Sequence, residues 1–414
     1  MHSCKFGGDA LEWRLFSIFD SVIEPRNMYK VEQLGQVFTP QFIVAEMLQL
    51  RKNFGSALEP SSGNGVFVKS MPNCVGIELD PEHCSEHSIN MDFFDYSLEN
   101  KFDTIIGNPP YVRYQDILPE TKEKLQSDLF DQRTNLYSFF IEKCIRHLND
   151  KGELIFITPR DFLKATSSIK LNEFIYKNGT ITDIIDLGDR RIFNGFSPNC
   201  LIWRFEKGNF SRKTNIRKEF VFCNGQLLFT DLYYPLHFKD VFFVKVGAVS
   251  GADKIFENKE YANMEFVCSS TCKTGHLKKM VFNEKNIYLE RHKDKLIKRQ
   301  IRNFDETNWW LWGRNHYISD RARIYVNSKT RNKKPFYVND CKNYDGSILA
   351  IFPNEQNADV NELCEGLNSV NWHELGFICD GRYIFSQKSL ENSLLPDYFR
   401  DYIGADKNGD WKTI

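Results

Sequence analysis

The chain has 414 residues, a net charge of −1 and 42% hydrophobic residues. Because a domain usually takes about 150 residues, this length predicts two or three domains, each able to bury a core. No run approaches the roughly 20 apolar residues that a bilayer-spanning helix needs, so we expect a soluble protein and exclude a membrane protein.

The first five residues, MHSCK, lack the charged start and apolar run of a secretion signal, so we expect a cytoplasmic protein. The 11 cysteines are scattered from Cys4 to Cys379 without a Cys-x-x-Cys pair. In a reducing compartment this pattern favours small core residues over disulfides or a zinc site. We therefore expect no bound metal.

In chain order, residues 1–33 are expected to form an N-terminal helical extension. Thr39 and Pro40 then predict a helix over Gln41–Leu50, with Thr39 as its cap and Pro40 in its first turn. From Gly55 to Phe205, short apolar runs alternate with helical patterns, which is typical of a parallel sheet covered by helices. The predicted strands are Ser56–Glu59, Cys74–Glu78, Thr104–Ile106, Glu153–Ile157, Ile181–Leu187 and Leu201–Phe205, and the predicted helices between them are Leu136–Leu148 and Arg160–Tyr176.

The strand-helix alternation ends after Asn224, where the chain becomes aromatic and rich in Lys and Asn. We place a domain boundary near residues 224–240. The predicted organisation is therefore an α/β domain over residues 34–230 and a second domain over residues 231–414.

A glycine-containing turn, EPSSGNG from Glu59 to Gly65, follows the first predicted strand. Glycines let a backbone turn sharply and approach a ligand closely, as nucleotide loops at the ends of parallel strands require. The turn lacks the glycine pattern and the lysine of a P-loop, so it favours an adenosine without phosphates. A plain strand-to-helix turn is the alternative.

Two carboxylates follow at the ends of later segments. Glu78 ends the strand within VGIELD, where a carboxylate usually holds two ribose hydroxyls. Asp92, with Phe93 beside it, is placed to accept a hydrogen bond from an adenine amino group while the ring packs alongside. The alternatives are a solvated acid at Glu78 and a capping or surface residue at Asp92.

The most specific motif is Asn108-Pro109-Pro110-Tyr111, which comes directly after a predicted strand. Two prolines fix the backbone and remove two donors, so rigid carbonyl acceptors remain. The side-chain oxygen of Asn108 and the carbonyl of Pro109 can each accept one hydrogen of an exocyclic amine, which prepares its nitrogen to attack a sulfonium methyl. Tyr111 would stack on the base, whereas a purely structural turn is the alternative.

Thr39-Pro40, EPSSGNG, VGIELD, MDFF, IIGNPPY and NLYSFFIEKCI occur in one order and approximate spacing across residues 34–205. In this the chain resembles the gamma-class adenine-N6 DNA methyltransferases of restriction-modification systems. The resemblance implies a Rossmann-like, S-adenosylmethionine-dependent methyltransferase sheet, followed by a C-terminal mixed α/β target-recognition domain. It implies that the cofactor site is lined by Thr39, Glu59, Gly63, Glu78, Asp92 and Asn108. We expect Pro60, Gly65, Leu79 and Phe93, which belong to the same motifs, to take part in cofactor binding as well.

The resemblance also implies that a second aromatic residue holds the extruded adenine against Tyr111. Within LGDRRIFNGF, Phe193 fits that role better than Phe196, and the alternative is that Phe193 belongs to the core. Extruding a base costs a few kcal/mol, so the second domain is expected to grip duplex DNA. A separate cognate restriction endonuclease is an expected partner, and we expect a monomer.

The segment from Arg291 to Lys334 holds 13 basic and four acidic residues. Aromatic residues are interleaved with them, among them Trp309, Trp310, Trp312, Tyr317 and Tyr325. This mixture suits a polyanion carrying flat bases. The candidate DNA contacts are Lys298, Arg299, Arg302, Arg314, Arg321 and Arg323, for each of which a solvated surface charge is the alternative.

Other functions stay open at this point. A glutamine-modifying protein methyltransferase also uses Asn-Pro-Pro-Tyr, although the long C-terminal region argues against it. An RNA methyltransferase is not distinguished by these residues. A non-catalytic DNA-binding subunit is disfavoured by the intact motif, and a fused nuclease rests only on the loose pattern of Asp240, Glu257 and Lys259.

Overall fold

The structure is a computed structural model that describes residues 37–131, 134–188, 190, 192, 193, 199–379 and 381–403. The predicted extension over residues 1–33 therefore lies outside the described residues. Among the helices of the described part, none is both long and apolar enough to cross a membrane.

One seven-stranded sheet, in the order β3-β2-β1-β4-β5-β7-β6, organises the first half of the chain. Its strands are β1 (Ala57–Glu59), β2 (Cys74–Glu78), β3 (Ser88–Asn90), β4 (Phe102–Gly107), β5 (Leu148–Pro159), β6 (Gly179–Asp186) and β7 (Cys200–Lys207). Neighbouring strands from β3 to β5 are parallel, whereas β7 runs antiparallel to both β5 and β6. Parallel strands are buried on both faces, which explains their continuous apolar runs.

The helices of this half are α1 (Gln41–Gln49), α2 (Pro119–Lys124), α3 (Leu136–His147) and α4 (Ile169–Asn178). One apolar cluster joins α3 and α4 to the sheet through Phe140, Ile145 and Ile175. A second joins α1 to the sheet through Ile43 and Met47. The predicted α/β class is thus confirmed, because two apolar clusters pack helices against the seven-stranded sheet.

Two predictions in this half need correction. The short edge strand β3 was not predicted, although Asp92 was placed at the end of that segment. The predicted helix over Arg160–Tyr176 is instead two 3₁₀ turns, Arg160–Leu163 and Thr166–Ser168, followed by α4. The Asn172 side-chain amide donates to the carbonyls of Phe162 and Leu163 at 2.9 and 3.2 Å, so a side chain from α4 satisfies these two carbonyls.

The second half is built from small antiparallel sheets. Its strands are β8 (Glu219–Cys223), β9 (Gln226–Thr230), β10 (Leu236–His237), β11 (Phe242–Val246), β12 (Met264–Phe266), β13 (Lys278–Met280), β14 (Ile324–Asn327), β15 (Lys329–Thr330), β16 (Phe336–Tyr337), β17 (Ile348–Pro353), β18 (Ile378–Cys379), β19 (Arg382–Ile384) and β20 (Leu394–Leu395). Its helices are α5 (Phe238–Val241), α6 (Asp253–Phe256), α7 (Thr271–Thr274), α8 (Ile287–Glu290), α9 (Lys293–Ile297), α10 (Val360–Ser369) and α11 (Gln387–Glu391). The largest sheet has the order β11-β17-β14-β16.

The β8–β9 hairpin lies between the two halves. Phe220 and Leu227 belong to the apolar cluster of the seven-stranded sheet, whereas Leu228 belongs to the cluster around β11 and β17. Two basic side chains that follow β5 contact the second half of the chain. Lys164 donates to the carbonyl of Leu375, and Arg160 donates to the carbonyl of Ile378 at 3.2 Å. The division into domains near residues 224–240 stays a prediction.

Candidate active site at the carboxyl ends of the strands

A cleft lies where strands β1 to β4 end, and its volume is about 820 Å³ when the space open to solvent is included. Because β3, β2, β1 and β4 are adjacent, the residues that follow them stand in a row across three strand spacings of about 4.8 Å each, or about 14 Å. Ligands of open α/β sheets bind at this edge. The described residues that line this strand-end cavity are Val37, Phe38, Pro60, Ser61, Gly63, Glu78, Leu79, Met91, Asp92, Phe93, Phe94, Asn108, Pro110, Val112, Ile117, Leu118, Thr121, Leu136 and Phe140.

The glycine turn and the Glu78 carboxylate form one unit. Gly63 has a φ of 49°, a conformation that favours glycine. Its amide donates to Oε2 of Glu78 at 2.6 Å, and the amide of Asp80 donates to Oε1 at 2.9 Å. Since each carboxylate oxygen can accept a further hydrogen bond, Glu78 is a fixed acceptor in the cavity wall.

Asp92 lies at the other end of the row and is 7% exposed. The amide of Phe94 donates to its Oδ1 at 2.9 Å, and the hydroxyl of Thr121 donates to its Oδ2 at 2.9 Å. Phe93 is buried and stacks on Phe140 with ring centroids 5.1 Å apart. This end of the cavity therefore offers an apolar wall beside a carboxylate.

Asn108 holds the most informative atom of the site. Its amide nitrogen donates to the carbonyl of Val37 at 3.1 Å and to the hydroxyl of Thr39 at 3.3 Å. The Val37 carbonyl can only accept, so the amide orientation is set by this network. The side-chain oxygen is then left buried, and it has no hydrogen-bond partner among the described residues.

Tyr111 and Phe193 are neighbours, but they do not form a slot between parallel rings. Their centroids are 6.4 Å apart and their planes are inclined by 72°. The Tyr111 hydroxyl donates to the carbonyl of Ile157 at 2.8 Å, and burial raises the pKa of Tyr111 well above its usual value, so the hydroxyl stays protonated. Phe193 is 4% exposed and belongs to the apolar cluster of α1, as the alternative prediction held, and Phe196 lies outside the described residues.

Several predicted cofactor residues lie behind the cavity lining. Thr39 does not cap α1, which begins after Pro40 without a side-chain cap, and instead accepts the hydrogen bond from Asn108. Glu59 is 2% exposed and accepts from the amide of Val68 at 2.9 Å, and burial raises its pKa well above the usual value. Gly65 donates to the carbonyl of Ser62 at 2.7 Å. These three residues support the wall, and direct ligand contact stays a prediction for them.

Sequence reasoning missed part of the lining. Phe38 is 49% exposed at the cavity and lies 5.4 Å from the His83 ring, although its neighbours Thr39 and Pro40 were noted. Ile117, Leu118 and Thr121 come from a segment without a recognisable motif.

The basic segment of the second half divides into exposed and buried residues. Lys298, Arg302 and Arg314 are exposed. Arg299 is 8% exposed and donates to the carbonyls of Ser250, Leu296, Trp309 and Leu311.

Arg323 is 3% exposed and donates to the carbonyls of Ser319, Arg321 and Lys342. The guanidinium of Arg321 is half-buried and donates to the carbonyls of Pro353 and Asn354. Arg299 and Arg323 therefore hold loops together, and DNA contact by these two side chains stays a prediction.

The interleaved aromatic residues are also mainly structural. Trp309, Trp312 and Tyr325 are buried, and Tyr317 is 40% exposed. The described residues contain no cluster of three or more His, Cys, Asp or Glu side chains arranged to hold a metal ion.

The strand order and the cavity across the ends of β1 to β4 define the Rossmann-like methyltransferase class of α/β protein. Residues 64–193 match the model of the Eco57I restriction-modification methylase family. The chain is therefore related to the restriction-modification methyltransferases, and the resemblance that its motifs indicated is confirmed at that level.

Individual relatives of the chain are described as Type II methyltransferases. The chain is 27% identical to the Type II methyltransferase M.HindII of Haemophilus influenzae, over 73% of this chain and 75% of that protein. It is 35% identical to M.HincII of Haemophilus influenzae over 44% of this chain, and 30% identical to M.TthHB8I of Thermus thermophilus over 42%. The matches to these two span 39% and 45% of their lengths.

Among solved structures, the restriction-modification enzyme MmeI in complex with DNA is similar in fold. The TM-score is 0.59 at 12% identity, and the match covers 89% of this chain and 65% of that chain. At this identity the likeness concerns the fold alone, and it extends beyond the seven-stranded sheet into the second half.

Proposed function

We propose that this protein is a site-specific DNA methyltransferase that transfers a methyl group from S-adenosylmethionine to the N6 amino group of an adenine extruded from duplex DNA. The observation that carries the proposal is the buried side-chain oxygen of Asn108, which has no partner among the described residues. Leaving a buried acceptor unpaired costs about 1–3 kcal/mol, so such an atom at a cavity calls for a donor from a ligand.

The lining of the cavity supports S-adenosylmethionine as the cofactor. Its described lining residues include the carboxylates of Glu78 and Asp92 but no Lys or Arg, so a positively charged ligand is favoured over a phosphate-rich one. The span of about 14 Å from the end of β3 to the end of β4 suits an adenosine joined to an amino-acid chain. When bound, this cofactor supplies an electrophilic methyl group on a sulfonium.

In this proposal Glu78 holds the ribose hydroxyls, and Asp92 with Phe93 holds the adenine of the cofactor. Pro60, Gly63 and Leu79 shape the wall between them. The amino-acid end then lies toward Asn108, which follows the neighbouring strand β4. This assignment uses the order of the strands and the positions of the two carboxylates.

Asn108 and the carbonyl of Pro109 would hold the two hydrogens of the target amine. This geometry draws the nitrogen lone pair out of conjugation and aligns it for in-line attack. As the nitrogen–carbon bond forms, the carbon–sulfur bond breaks, and the nitrogen releases one proton through its acceptors to solvent. The acceptors face the positive charge that grows on nitrogen, so they stabilise the transition state more than the ground state.

The target base would stack on Tyr111, a contact worth about 1–3 kcal/mol. Because Tyr111 and Phe193 stand edge to face, a base can enter between them only if their rings separate. Extrusion is needed because pairing engages the amino group in the duplex.

Duplex DNA is the proposed substrate because the relatives are Type II methyltransferases and a similar fold has been solved with DNA. Residues 231–414 would then form the target-recognition domain, with Lys298, Arg302 and Arg314 as exposed candidates for DNA contacts. Protection of host DNA beside a separate endonuclease, a cytoplasmic location and a monomeric state complete the proposal.

The test is methyl transfer from labelled S-adenosylmethionine to duplex DNA, structured RNA or a glutamine-containing release factor. We expect label in duplex DNA only, and at discrete sites. Label in RNA or in the protein would replace DNA as the substrate, and binding of the cofactor with no transfer to any of the three would contradict the enzyme assignment.

A further inference from the structure

Helix α2 forms a wall over the Asp92 end of the strand-end cavity. It comes only eight residues after Tyr111, and Ile117, Leu118 and Thr121 of this segment line the cavity. The segment thus connects the proposed amine-binding motif to the opposite end of the row of strand-end residues. Its apolar side chains close the cavity, and Thr121 adds one polar group.

That polar group contacts Asp92 inside the protein. The Thr121 hydroxyl lies 2.9 Å from Oδ2 of Asp92, and the two residues are 6% and 7% exposed. The amide of Phe94 holds the other carboxylate oxygen at 2.9 Å, and the Lys124 ammonium lies 3.4 Å from Oδ2. Donors from two separate segments therefore fix the plane of the carboxylate.

A fixed carboxylate is a directional acceptor. Each oxygen accepts about two hydrogen bonds, so Asp92 keeps capacity for a ligand donor in addition to its protein partners. If the Thr121 hydroxyl is removed, Oδ2 loses the donor that anchors it from the cavity wall. The carboxylate then keeps only the Phe94 amide and the Lys124 ammonium as partners, so it can tilt away from the direction in which a ligand amine is held.

We propose that Thr121 is a positioning residue that makes the Asp92 end of the cavity selective for a purine with an exocyclic amino group. The inference rests on the proposed function, because it takes the cofactor's adenine to lie at Asp92. It adds a residue from α2 that acts through Asp92 and need not touch the cofactor itself.

The test compares two ligands by calorimetry on the full-length protein. One is S-adenosylhomocysteine, and the other is its analogue with hydrogen in place of the 6-amino group. We expect the unmodified protein to prefer the amino form by about 10-fold, as one hydrogen bond to a charged group would give. In Thr121→Val the preference should fall to about threefold or less, mainly through weaker binding of the amino form.

Thr121→Ser keeps the hydroxyl and should restore the preference. Thr180→Val is the matched control, because it removes a buried hydroxyl that donates to the Asn209 carbonyl at 2.6 Å, away from the cavity lining. It should leave the ratio unchanged. If Thr121→Val disturbs packing, Thr121→Ala supplies the same comparison with a smaller side chain.

The outcomes separate this inference from the proposed function. An unmodified protein that binds neither ligand would contradict the proposed function and this inference with it. Binding of both ligands with an unchanged ratio in Thr121→Val and Thr121→Ala would overturn the role of Thr121 and leave the proposed function standing. A lowered ratio in Thr180→Val would also overturn it, because the effect would then be general.

Discussion

Replacing Asn108 with alanine removes the acceptor on which the proposed chemistry depends. The variant loses the buried oxygen that would receive the target amine, and it also loses the two hydrogen bonds to Val37 and Thr39. Loss of one preorganised group at a reacting centre lowers kcat by about 100- to 1,000-fold. We expect Asn108→Ala to fall in that range.

Cofactor binding should respond much less. The two lost bonds tether the segment of Val37 and Phe38, which lines the cavity. A neutral hydrogen bond contributes about 1 kcal/mol, so we expect the dissociation constant for S-adenosylhomocysteine to rise by about fivefold. The two effects therefore separate: a large loss in kcat and a small loss in cofactor affinity.

The assay is single-turnover methyl transfer to duplex DNA at saturating cofactor, with calorimetry for the affinity. Asn178→Ala is the control, because it removes a side-chain amide that donates to the Phe174 carbonyl in α4. It should leave both quantities unchanged. Turnover by Asn108→Ala within threefold of the unmodified protein would refute the amine-capture mechanism.

Three further predictions concern cofactor binding, stability and pH. Glu78→Gln should weaken S-adenosylhomocysteine binding by about 10- to 100-fold in calorimetry, because a charged acceptor is lost from the wall. Arg204→Met should lower the free energy of unfolding in urea by about 3–5 kcal/mol, because it removes the cationic partner that the buried Glu153 carboxylate contacts at 2.6 Å. Burial lowers the pKa of His147 from 6.5 to about 4, so the folded state disfavours protonation of this side chain. The free energy of unfolding should therefore fall as the pH drops from 6.5 toward 4, by about 3 kcal/mol in total.

Each of these predictions has a control. Glu86 is exposed, so Glu86→Gln should leave cofactor affinity unchanged, and equal weakening would remove the specific role of Glu78. Lys177 pairs with Glu173 on the surface of α4, so Lys177→Met should cost less than about 1 kcal/mol. A His147→Gln variant should show a free energy of unfolding that depends less on pH. An unchanged pH dependence would mean that another group causes the loss of stability.

The sheet could be predicted because its signals are local. The bounds of β2 agree with the prediction, and β1, β4, β5, β6 and β7 were found with shifted ends. Apolar runs separated by turns report burial on both faces of a parallel sheet. The three residues of β3 were too few to show a pattern, and two of them are exposed.

The site was predicted as a set of positions but not as a set of contacts. The hydrogen bond from Asn108 to Thr39 links residues that are 69 positions apart in the chain, and the one from Thr121 to Asp92 links residues that are 29 positions apart. No local pattern encodes such pairings, because they depend on how the strands are ordered in the sheet. Thr39 was accordingly assigned to a helix cap, and Thr121 was not noticed.

The basic segment shows the same limit for charge. Composition counts Arg299 and Lys298 equally, although the first is buried among backbone carbonyls and the second is exposed. The guanidinium of arginine can satisfy several carbonyls at once, so it serves as an internal brace as readily as a DNA contact. Only the fold separates these two uses.

The central claim is that the motif at Asn108 presents an adenine amino group to the cofactor's methyl. Its most direct test is mass spectrometry of the nucleosides from duplex DNA that the purified protein has methylated. We predict N6-methyladenine as the single modified nucleoside. A methyl group on a ring carbon, as in 5-methylcytosine, would contradict the account, because no exocyclic amine would then take part.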